Sequence, residues 1–290
     1  MSSIDYLCNI ASIFQSVHDL GGQGIVWGCG LGPIRSTKRD ILNKIAISKI
    51  LRIARSCVFR DQKSLEIAKN FAGPAIESHS EVALDPAFHW VSSHDRDKVV
   101  SGRVGFAIRS LPLREYYSDF DADSERLSRD FSSAIVSLMR THADNDSVYL
   151  QCMHRLPCGG DDRLYYEDIL GGEISRYDFS MEHRRPTEDV LTLCGLNRLY
   201  AMRFHSVVFA VALGIPVVPI DYTNGGKISS LCDLLGIHCW SPSELSDLVL
   251  QQGALPEPQC VDPELLKPYA SESSKIYEDL AQKVKIFSDV

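Results

Sequence analysis

From Gly24 onward, short runs of consecutive apolar residues alternate with stretches whose apolar residues recur at helical spacing. Few architectures accommodate that pattern. A strand that is apolar at every position, and not at every second one, must be covered on both faces, which is the condition of a parallel sheet flanked by helices. The apolar runs are residues 24–28, 56–59, 82–84, 103–108, 148–150, 199–201 and 215–220. Between them the spacing predicts helices over 41–54, 62–71 (with Asp61 as N-cap), 123–141, 161–170, from Pro186, 204–213, 227–235 and 242–251. Another helix is predicted at 4–20, and 263–290 reads as a polar stretch ending in an amphipathic helix.

A polar, charged linker at 92–102 interrupts the alternation, which then restarts. The expectation is an α/β protein with two Rossmann-like domains facing a cleft: an N-terminal domain over 1–95, a C-terminal domain over 96–265 and a final helix over 266–290. In open α/β sheets ligands bind outside the carboxyl ends of the strands, so the residues just after each strand carry the functional question.

Charge and cysteine usage narrow the classes. A formal net charge of -8 over 290 residues argues against a nucleic-acid binder, which would present a basic face. It leaves room for small anions held by a few local arginines. The nine cysteines are odd in number and form no C-x-x-C, so they read as reduced thiols of a reducing compartment. Cys152, His154 and Cys158 are neighbours but match no common zinc spacing, and no metal or cofactor is expected. No basic segment followed by an apolar core opens the chain. The longest apolar stretch, 204–220, is broken by His205, Ser206, Gly214, Pro216 and Pro219, whereas a spanning helix needs roughly 20 apolar residues.

The densest chemistry lies in Met202-Arg203-Phe204-His205-Ser206, between a predicted strand and an apolar helix. A helix start offers N–H groups and a partial positive charge, Arg203 adds a forked cation, and His205 exchanges protons near neutral pH. An ion-pair arginine beside a core histidine is the competing reading. Arg109 ends a strand of the second domain and is either a cleft residue or a surface arginine. Asp221 and Lys227 flank a polar, glycine-containing loop after the last strand; the loop either approaches a ligand or is a plain turn. Arg60, His154 and Asp161 are further cleft candidates. Asp161 pairs with Asp162, and two such acids could bind a metal or accept a proton, but a favourable place at a helix start is the better account of them, and ion pairing suffices for Arg60. The segment Gly28-Cys29-Gly30-Leu31-Gly32-Pro33 is not G-x-G-x-x-G, and no acid follows at the right place, so dinucleotide binding is rejected.

Several of these segments together resemble the polysaccharide pyruvyl transferase family. They are Gly28 to Pro33, Phe59-Arg60-Asp61-Gln62-Lys63-Ser64-Leu65, Asp85-Pro86-Ala87-Phe88, Gly105-Phe106-Ala107-Ile108-Arg109, Met202-Arg203-Phe204-His205-Ser206, Gly214-Ile215-Pro216-Val217-Val218 and Asp221-Tyr222. The resemblance implies a GT-B-like arrangement of two Rossmann-like domains, with the N-terminal, acceptor-side domain shortened and the C-terminal domain on the donor side. It implies transfer of a pyruvyl group from phosphoenolpyruvate to a sugar of a polysaccharide or glycan precursor. It also implies a cytoplasmic location, free or peripheral to the membrane where such precursors are assembled. By the same likeness Arg203 and His205 match the donor-site motif, with His205 as the catalytic residue, and Arg109 matches a donor-binding arginine. Phe204 and Lys227 are the remaining substrate-binding expectations. Two other readings stay open: a GT-B glycosyltransferase or sugar-nucleotide epimerase, and a shortened, non-catalytic homologue that binds glycan.

Overall fold

The structure, a computed structural model, describes residues 3–31, 38–92, 102–112, 122–154, 161–179, 186–223 and 225–288. Most of the linker expected at 92–102 and Cys158 of the zinc reading lie outside the described residues. The chain divides into two compact units, Met1–His89 with Glu264–Val290, and Trp90–Pro263. No helix among the described residues is long and apolar enough to cross a membrane.

The first unit runs α1 (Ser3–Asp19), β1 (Gly24–Cys29), α2 (Lys38–Ile53), β2 (Ala54–Phe59), α3 (Gln62–Ala72), a 3-10 turn (Pro74–His79), β3 (Ser80–Val82) and the start of α4 (Pro86–Ser92). Its three strands are parallel in the order β1-β2-β3. Successive strand residues point to opposite faces, and β2 shows both faces buried. Cys57 and Phe59 pack with Ala11, Ile47, Ile50 and Leu51 of α1 and α2. Val58 packs with Ala83, Tyr277 and Leu280. The last two belong to the C-terminal helix, α11 (Pro263–Ser288). Two hydrogen bonds fix it there: the Leu84 N–H donates to Ser273 Oγ at 2.8 Å, and the Tyr277 hydroxyl donates to the Leu84 carbonyl at 2.7 Å. The end of the chain thus covers the second face of the first sheet.

The second unit runs β4 (Arg103–Ala107), α5 (Ala122–Ala143), β5 (Ser147–Leu150), α6 (Asp162–Leu170), a 3-10 turn (Gly171–Arg176), β6 (Asp178–Phe179), α7 (Pro186–Cys194), β7 (Leu196–Ala201), α8 (Phe204–Ala212), β8 (Val217–Pro219), α9 (Lys227–Leu235) and α10 (Pro242–Ser246). All five strands are parallel, in the order β6-β5-β4-β7-β8. On one face Val104 and Phe106 pack with Phe131, Ile135 and Leu138 of α5. On the other, Gly105 lies under Leu196 and Leu199, and a methyl group there would stand 2.5 and 2.8 Å from their Cδ1 atoms. A side chain at this position would push those leucine methyl groups aside.

The predicted strand at 215–220 forms ladder pairs only at Val217–Pro219. Pro216 and Pro219 lack an N–H, which confines such a strand to an edge. Ile220 instead makes an isolated parallel bridge to Trp240. The predicted helix at 242–251 starts with a capping box at Ser241 and Glu244, then widens into a π-helical turn at Asp247–Gln251.

Candidate active site

The chain leaves β4 toward β5 and β6, then returns across the sheet to β7 and β8 on the other side of β4. The connections after β4 and β7 therefore diverge, and ligands of open α/β sheets lodge at such a switch point, at the carboxyl ends of the strands. Arg109 follows β4, Gln151 to His154 follow β5, Arg203 follows β7, and Asp221 and Tyr222 follow β8.

Arg203 occupies the N-cap position of α8 in extended conformation and is buried, 7% exposed. Its guanidinium meets the carboxylate of Asp162 with two bonds, Nε to Oδ2 at 3.1 Å and Nη2 to Oδ1. Asp162 is 1% exposed in the first turn of α6, and its Oδ2 also accepts the N–H groups of Met153 and His154 at 3.0 Å each. One carboxylate thus ties α6, the loop after β5 and the N-cap of α8 together. Arg203 is left with the N–H groups that point away from this fork, enough to grip a second anion.

His154 is exposed beside this pair. Partial burial, then the positive Arg203, hold its imidazole below the ordinary range, while Asp162 pulls the other way. Arg109 and His205 also lower it, so these charges act on one another across the edge. At neutral pH His154 is an uncharged acceptor. His205 is exposed in the first turn of α8, edge-on to Phe204 at 5.4 Å and tilted against Phe209 at 6.3 Å. Arg109 lies over the Tyr222 ring at 5.2 Å and donates from Nη1 to its hydroxyl at 3.4 Å.

Asp221 organises the loop that carries Tyr222. Its carboxylate accepts from the Thr223 N–H (2.9 Å) and hydroxyl (2.5 Å), the Gly225 and Gly226 N–H groups (3.0 and 2.9 Å) and the Ser229 hydroxyl (2.5 Å). Burial raises its pKa, but these bonds outweigh burial and leave it below the usual value. Lys227, half-buried, opens α9 directly after this loop. Asp161 caps α6 by accepting the Arg163 N–H at 2.9 Å.

Arg60 belongs to the first unit. It follows β2, pairs with Asp85 at 3.2 Å, and fills the space a side chain at Gly30 would need. The second unit therefore brings Arg109, His154, Arg203, Phe204 and His205 to one sheet edge, and Arg60 stands on the edge of another sheet. Sequence reasoning passed over Gln151, weighed Asp162 only as half of an acid pair with Asp161, and gave Tyr222 no role of its own. Gln151 and Tyr222 each stand just after a strand, the signal that singled out Arg109. Asp162 sits one place beyond the helix cap, where spacing does not distinguish an inward acid from a solvated one.

The family model described as polysaccharide pyruvyl transferase matches residues 4–224, well over half of the chain. The chain belongs to the polysaccharide pyruvyl transferase family. The match contains both sheets and every site residue named above except Gly225, Gly226, Lys227 and Ser229. No curated protein is detectably similar to this family member. Among solved structures, the crystal structure of HepE from Anabaena in complex with UDP and glucose superposes with a TM-score of 0.52 at 12% identity, covering 99% of this chain and 76% of HepE. At that identity the likeness shows the fold alone, and the fold is GT-B-like.

Proposed function

We propose that this family member transfers the pyruvyl unit of phosphoenolpyruvate to a sugar of a polysaccharide or glycan precursor, using the carboxyl edge of the second unit as the donor site. The observation that carries this reading is the grouping of two guanidinium groups and two imidazoles around the β4/β7 switch point. Phosphoenolpyruvate has a carboxylate and a phosphate, the groups that arginine forks bind. Arg109 and the free side of Arg203 take them, helped by the start of α8. Asp162 holds Arg203 in place and supplies the local counter-charge.

The chemistry needs a proton delivered to the methylene carbon and a sugar hydroxyl bonded to the adjacent carbon. His205, exposed at the edge, is the proton-transfer group. Attack by a second hydroxyl with departure of inorganic phosphate closes a cyclic ketal. The two hydroxyl protons end on the base and the leaving phosphate. In a purified assay fed with phosphoenolpyruvate and sugar acceptors, the wild type releases phosphate only when acceptor is present. His205→Ala abolishes that release with an unchanged thermal midpoint. Undiminished turnover in the variant removes His205 from the mechanism.

The HepE structure, solved with UDP and glucose, supports a second reading on the same fold, a nucleotide-sugar enzyme. A thermal-shift panel separates the two. Stabilisation by phosphoenolpyruvate and not by uridine sugars supports pyruvyl transfer, and the reverse supports the rival. Glycan affinity with neither response marks a binding homologue without catalysis.

A further inference from the structure

Gln151 has no task in this scheme, yet it lies beneath the same edge. It is the first residue after β5 and is 1% exposed; its backbone N–H donates to the Phe106 carbonyl at 2.8 Å. Its side-chain Oε1 accepts the hydroxyl of Ser206 at 2.9 Å, and Ser206 is wholly buried in the first turn of α8. The amide nitrogen of the same side chain, Nε2, is buried and has no hydrogen-bond partner among the described residues. A buried donor left in that state costs about 1–3 kcal/mol, and an amide nitrogen carries two N–H groups.

The bond to Ser206 keeps this nitrogen within one amide width of the α8 first turn. That helix has nine residues, and its N-cap side chain, Arg203, makes no capping bond. Helix starts favour anions, and an NH2 group only donates, so both features ask for the same occupant.

We propose that Gln151 Nε2 and the first turn of α8 together seat one anionic group, a carboxylate or a phosphoryl group, making Gln151 a further substrate-binding residue. Naming that anion as part of phosphoenolpyruvate rests on the donor reading above; the preference for an anion does not. A glutamate at this position would keep the shape and the acceptor for Ser206, but it would replace the donors with a charge that repels the ligand.

The test is calorimetric titration of the full chain with phosphoenolpyruvate, inorganic phosphate and pyruvate, in wild type, Gln151→Glu and Gln151→Met. The expected result is an affinity for phosphoenolpyruvate about 10- to 100-fold weaker in Gln151→Glu, the range for losing a charge-assisted hydrogen bond. Part of the loss returns on acidification, relative to wild type, as the new carboxyl takes up a proton and donates again. A purely structural role would not give that recovery. Whichever of phosphate and pyruvate shares the loss names the group that is seated. Gln151→Met removes the donors without adding charge and weakens binding less.

Affinity within twofold of wild type, in a variant with a wild-type thermal midpoint, overturns the proposal and leaves the donor reading standing. Wild-type binding of phosphate but not phosphoenolpyruvate, weakened by Gln151→Glu, keeps the proposal and removes the donor reading. Binding of none of the three probes by wild type removes both.

Discussion

The carboxyl edges of the two sheets share one device and differ in what surrounds it. In each, a strand away from the sheet edge ends in an arginine buried against the aspartate of a neighbouring helix start. Arg60 follows β2 and meets Asp85, which also accepts the Ala87 N–H at 3.0 Å as α4 begins. Arg203 follows β7 and meets Asp162 in the first turn of α6. The first pair has Gly30 underneath and Asp61 at 3.8 Å. The second has His154, His205 and Arg109 within electrostatic reach. Among the described residues the first sheet also runs β1-β2-β3 without reversal, so no connections diverge there. A buried arginine–aspartate pair is thus a clamp on a strand-to-helix turn. The second edge is the one proposed to carry chemistry because a switch point lies beside it and imidazoles and a second guanidinium are added.

The sharpest break in this comparison is His205→Ala. General acid–base catalysis is worth about 100- to 10,000-fold in rate, and a loss of that size without loss of stability is expected in a phosphate-release assay. Next come the two aspartates. Asp162→Ala strands a buried guanidinium, at about 3–5 kcal/mol of stability, readable by denaturant unfolding; Asp85→Ala leaves Arg60 with Asp61 at 3.8 Å and costs less. Only Asp162→Ala should also weaken phosphoenolpyruvate binding. Equal effects on binding would erase the distinction between the two edges.

The smallest effect concerns pH. Burial, then Arg198, hold the His142 imidazole below its usual value, although Asp146 pulls it up. The unfolded chain therefore binds that proton at higher pH than the folded one. Stability is unpenalised above about pH 6.5 and falls as pH drops from there through the folded value. Exchanging His142 for Gln should flatten that part of a thermal-midpoint profile.

Much of the fold was legible because strand segments buried on both faces must be apolar, as residues 104–107 of β4 and 199–201 of β7 are. Asp61 was readable as a cap, and its carboxylate does accept the Ser64 N–H at 2.7 Å. The cover on the second face of the first sheet was not legible, since Leu84 and Ser273 meet from distant parts of the chain. At the site, residue types that carry chemistry wherever they stand, such as Arg203 and His205, were visible. Residues whose role depends on orientation were not. Asp161 and Asp162 look alike in sequence, yet one caps α6 at the surface and the other clamps Arg203 inside. Gln151 resembles any polar residue after a strand until its amide is seen buried beneath a helix start.

The central claim is that the donor anion is held at the second edge and not at the first. Calorimetric titration of phosphoenolpyruvate into wild type, Arg203→Lys and Arg60→Lys tests it directly. Because a point charge cannot replace a forked guanidinium, strong weakening is predicted for Arg203→Lys and unchanged affinity for Arg60→Lys. Unchanged affinity in Arg203→Lys, or equal loss in both variants, would contradict the account.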